Sequence, residues 1–82
     1  QNQSTDEIME RLDRFHRQNL IDTINANREI LGVCKRILNN KGYKQSLRDK
    51  AKALIPELLW EMKYTSEELE YERRLKELEK PQ

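Results

Sequence analysis

One cysteine, two glycines, two prolines and five aromatic residues among 82 leave little with which to build a cross-linked or turn-rich fold. A lone cysteine, Cys34, permits no internal disulfide, and the chain is expected to be intracellular, cytoplasmic or nuclear. With Gly32 and Gly42 as the only glycines, there is no cluster to cradle a phosphate, and no nucleotide cofactor is expected. One histidine and one cysteine fall short of the four ligands of a structural zinc site, so no metal is expected. No apolar run approaches the ~20 residues of a membrane span. Nor does any segment sustain the alternation of a half-buried strand, so no sheet is expected. The chain opens at Gln1 without an initiator methionine. It reads as a single helical domain, 1–82, cut from a larger protein. Asn2-Gln3-Ser4 matches a glycosylation acceptor but reads as coincidence, because Ser4 has a better use as a helix cap.

What the chain does have is charge. Lysine, arginine, aspartate and glutamate make up 38% of it, yet the net charge is only +1. The balance removes any global electrostatic reason to seek nucleic acid. The polarity leaves a small core, and small cores hold little stability in reserve. Self-association or docking on a partner would supply the missing burial.

The fold class reads as all-α. Ser4 and Glu7 have capping-box spacing, and no proline follows before Asn40. A first helix is expected over about 5–40, ended by a left-handed turn at Gly42. Its apolar positions, from Ile8 and Leu12 to Ile37 and Leu38, occupy about half the helical wheel. Leu20, Ile24, Leu31 and Leu38 form the expected spine. Asn19, Thr23 and Asn27 interrupt it, and a buried Asn can set the register between helices. Lys41–Gln45 is a short link of the kind that joins antiparallel neighbours. Ser46, with Asp49 three later, opens an expected second helix over about 46–64. Its stripe of Leu47, Ala51, Leu54, Leu58 and Met62 keeps phase across Pro56, where a kink is expected. Thr65 and Glu68 suggest another capping box, flanked by Tyr64 and Leu69 as a hydrophobic staple. A charged third helix is therefore expected over about 66–80, stopped by Pro81. The result is a helical hairpin or three-helix arrangement, of a kind compatible with a coiled coil or a dimer.

The side chains point to binding and away from catalysis. His16 reads as a boundary residue or a pH-sensitive contact, and Cys34 as a small buried apolar residue. The carboxylates of the third helix read as a solvated face with nothing to perturb them, so no enzyme is expected. Trp60 and Tyr64 lie one turn apart, well off the Leu47–Met62 stripe. A helix with two apolar faces has two neighbours. Either the third helix covers this second face through Leu69 or Tyr71, or the face anchors a partner helix. Trp60, Tyr64, Tyr71 and Leu69 are the candidate contact residues.

Between 35 and 52, seven basic residues face Asp49 alone. Lys41, Lys44, Arg48 and Lys50 around the turn could meet phosphates, or could complement the dipole at the end of the first helix. The expected function is thus a non-catalytic helical protein–protein interaction or oligomerisation module, a scaffold for a partner helix or for itself. The alternative is a small nucleic-acid-binding element that uses the basic turn.

Overall fold

The computed structural model describes residues 4–80 and is all-helical. Helix α1 spans Thr5–Asn39 and helix α2 spans Gln45–Glu79. Residues 40–44 join them, and the two helices lie antiparallel as a hairpin 59 Å long. The Asn2-Gln3-Ser4 triplet and the stop at Pro81 fall wholly or partly outside the described residues.

Helix α1 starts where its cap predicts. The Ser4 hydroxyl accepts from the Glu7 backbone N–H at 3.2 Å, satisfying one of the donors a helix start leaves unpaired. Its end differs from expectation. No glycine among the described residues has a positive φ, so Gly42 is not a left-handed cap. Asn40 caps the helix with extended backbone instead. Its Oδ1 accepts from the Gly42 N–H at 2.9 Å, an Asx turn that reverses the chain without a left-handed residue. A Cβ on Gly42 would sit 3.1 Å from that same oxygen. The glycine therefore permits a close approach.

Helix α2 begins at Gln45 with Lys44 in the cap position, not at Ser46. No side chain caps it. It then runs unbroken to Glu79, so residues 66–80 are its second half and no third helix exists among the described residues. Pro56 lies inside the helix on its exposed side, and the kink expected there does not divide the element. The reason for continuity lies in the seam. From α2, Ala51, Ile55, Leu58, Met62, Thr65 and Leu69 are all buried or half-buried. From α1, Leu20, Ile24, Asn27, Leu31, Cys34 and Leu38 are likewise withdrawn. Both sets alternate steps of four and three, an average near 3.5 that keeps one line of side chains on the neighbouring helix. Thr65 belongs to that line and is only 5% exposed. A cap there would be worth about 1 kcal/mol. Breaking the helix to form it would put Leu69 and everything beyond out of phase with α1.

The core is thin. Leu31, Cys34, Ala51 and Leu58 form its buried centre, with Ile37, Leu38, Leu54, Ile55 and Met62 packed around them. No large side chain among the described residues is fully buried. Leu47, expected in the stripe, stays 40% exposed near the turn.

Candidate functional site

Trp60 and Tyr64 stand on consecutive turns of α2, on the side of the helix away from α1. Their rings stack with centroids 5.7 Å apart and planes 11° from parallel. Trp60 is 68% exposed and Tyr64 58%. Because α2 continues unbroken to Glu79, no third helix among the described residues folds back to cover them. Tyr71, also exposed, follows on the same side about 10 Å further along, at 1.5 Å per residue. Leu69 does not join them. It is half-buried against α1 in the seam and belongs to the hairpin's own packing. The aromatic surface is thus Trp60, Tyr64 and Tyr71, without the fourth candidate. The i, i+4 spacing of the stacked pair is legible in the sequence. That nothing covers it depends on how far α2 extends.

The basic turn is less uniform than its composition suggests. Lys41, Lys44 and Lys50 are exposed. Arg48 is half-buried and turned back on the hairpin. Its Nη2 donates to the Leu38 carbonyl at 3.2 Å and its Nη1 to Gln45 Oε1 at 3.4 Å. Leu38 lies in the last turn of α1, where carbonyls lack partners inside the helix. Arg48 therefore serves as a cap in trans and favours the negative end of the α1 dipole.

Polar groups also occupy the seam. Asn27, 7% exposed, donates from Nδ2 to Glu61 Oε1 across the two helices. His16 Nε2 lies 3.1 Å from Glu72 Oε1 and 3.4 Å from Glu68 Oε1. Glu72 pairs across the hairpin, and not with Lys76 on its own helix as its spacing suggests. The Arg73 guanidinium reaches Glu70 on one side and Glu77 on the other. Arg73 holds the exposed Glu70 carboxyl below its ordinary pKa, chiefly through their hydrogen bond. An open groove beside this pair is lined by Arg17, Ile21, Leu69, Arg73, Lys76 and Lys80 among others. It presents charges of both signs. Cys34 is 3% exposed and packs as a small apolar side chain.

Among the described residues, no group of three His, Cys, Asp or Glu side chains is placed to hold a metal ion. No described helix is long and apolar enough to cross a membrane. Comparison with known proteins returns no match among family models, curated proteins or solved structures.

Proposed function

We propose that this chain is a non-catalytic interaction module that works inside the cell by presenting apolar helical surface to another helix. The observation that carries the reading is the exposed, stacked Trp60–Tyr64 pair on the side of α2 that α1 leaves free. Tryptophan and tyrosine dominate binding energy where they fill a partner's pocket. Stacking holds the two rings in place ahead of docking, which lowers the ordering cost of binding. Two helices with a thin core form a rod that displays side chains over its length, and the reading assigns it no reaction step.

The basic turn supports a second reading, contact with phosphates through Lys41, Lys44 and Lys50. It is the weaker of the two because Arg48 already satisfies a helix end. Salt separates them: phosphate binding falls steeply as salt rises, whereas apolar docking changes little.

The test is Trp60→Ala, compared with the wild-type chain for affinity toward the proteins that co-purify with it. Loss of an aromatic anchor should weaken binding at least tenfold, about 1.4 kcal/mol, at unchanged helix content by circular dichroism. Equal affinity of the two chains would overturn the assignment of this surface.

A further inference from the structure

We infer that a second copy of this chain covers the apolar flank of α1, lying antiparallel on the first. The inference shares with the proposed function the idea of apolar helical docking, but it uses a different surface and does not depend on Trp60.

At about 100° per residue, Ile8, Leu12, Phe15, Ile30, Val33 and Ile37 fall on one flank of α1, beside the seam and not in it. All but the half-buried Ile37 are exposed, Phe15 by 66%. By the same geometry the other flank of α1 carries Arg14, Arg17, Arg28 and Lys35. One flank of α1 is therefore greasy and the other charged. A rod left alone has no reason to segregate its side chains in this way.

The spacing names the occupant. Counting from Ile8, the apolar positions step by four and then three. After an interval around Asp22 and Thr23, the steps from Ile30 are three and then four. The stripe reads the same in both directions. A twofold axis through its centre places Ile8 opposite Ile37, Leu12 opposite Val33 and Phe15 opposite Ile30 of the other copy. That is the self-complementarity an isologous interface requires. Pairing α1 with its antiparallel mate buries this flank on both copies at once.

Charge selects the same direction. The turn end, residues 35–52, carries seven basic side chains against one acidic, a net +6. The open end, residues 4–18 and 66–80, carries seven basic against ten acidic, a net −3. Antiparallel copies set each basic turn beside an acidic open end, whereas parallel copies would set +6 against +6.

The experiment measures the mass of the full chain in solution from about 1 µM to about 300 µM, a range that reveals interfaces of ordinary strength. A mass of twice 9.9 kDa is expected, and Phe15→Glu should weaken the dimer at least a hundredfold. A wild-type monomer throughout the range overturns the inference and leaves the Trp60 surface to be judged by its own test. Because Phe15→Glu could also unfold the chain, a second variant reads orientation without touching the flank. Lys41→Glu with Lys44→Glu should weaken an antiparallel dimer at low salt, with the loss shrinking as salt rises. Tighter association of that variant would mean parallel copies and overturn the arrangement. Mixing Leu12→Cys and Val33→Cys chains, both in a Cys34→Ser background, should give mostly the mixed disulfide. Equal yields of mixed and like-with-like disulfides would also overturn it.

Discussion

The two halves of the hairpin share one seam but fill it differently. Near the turn, Leu31, Cys34, Ala51 and Leu58 meet as a continuous apolar centre. Toward the open end the same positions pass to Thr65, Leu69, Glu72 and Lys76 on α2, and beyond Leu20 to the half-buried Arg17 on α1. There the helices are tied by His16 to Glu68 and Glu72. Apolar burial contributes about 25 cal/mol per Å², while partly exposed ion pairs contribute between nothing and about 1 kcal/mol. Stability should therefore be concentrated at the turn and decline along the rod. Asn27 and Glu61 mark the boundary between the two regimes.

That contrast can be broken most directly by truncating its strong half. Leu58→Ala should cost about 2–4 kcal/mol, enough to unfold much of a protein with so small a core. Leu20→Ala should cost clearly less, because Leu20 lies outside the Leu31–Cys34–Ala51–Leu58 centre. Urea unfolding followed by circular dichroism checks both, and equal costs would show that stability is uniform along the rod.

The boundary pair offers a smaller and different effect. Asn27→Leu replaces a buried amide with an apolar side chain in a line of apolar side chains, and Glu61 is exposed enough to regain water. The unfolding free energy from urea titration should rise, by about 1 kcal/mol. The cost should be lost register, visible as extra amide peaks in an NMR spectrum, since a buried Asn penalises slipped pairings. A single unchanged set of peaks would mean that the turn alone sets the register.

The smallest effect belongs to the exposed cluster at the far end. Arg73 depresses the Glu70 pKa, so its contribution to stability is present above the ordinary carboxylate range. It is lost as pH falls through the lowered value. Glu70→Gln should melt slightly below the wild type at neutral pH, and the two melting curves should converge in acid. A gap that widens on acidification would reverse the sign of this contribution.

Much of the fold is legible in short stretches of sequence, and the misreadings share one cause. Ser4 announces the start of α1, and the steps through Leu20, Ile24, Leu31 and Leu38 announce its buried line. These signals agree with one another, and both are local. Thr65 and Glu68 also carry a local signal, for a helix start, and there it misleads. The pull of α1 on Thr65 and Leu69 outweighs a cap, and no reading of a single segment contains that pull. Gly42 misleads in the same manner: its composition suits a left-handed residue, but the Asn40 side chain closes the turn first. Arg48 reads as one of four equivalent cations, and only the hairpin brings it to the Leu38 carbonyl. At the candidate surface, the pairing of Trp60 with Tyr64 is legible, but the withdrawal of Leu69 into the seam is not.

Side-chain spacing, acting through helical geometry within a few residues, was sufficient to set helicity, the start of α1, the line of residues that meets a neighbour and the uneven placement of charge. The continuity of α2 past Thr65, the inward turn of Arg48 and the exposure of Trp60 were decided by tertiary contact alone. Each depends on the free energy of packing against a helix distant in sequence, and that energy outweighs local preferences worth about 1 kcal/mol.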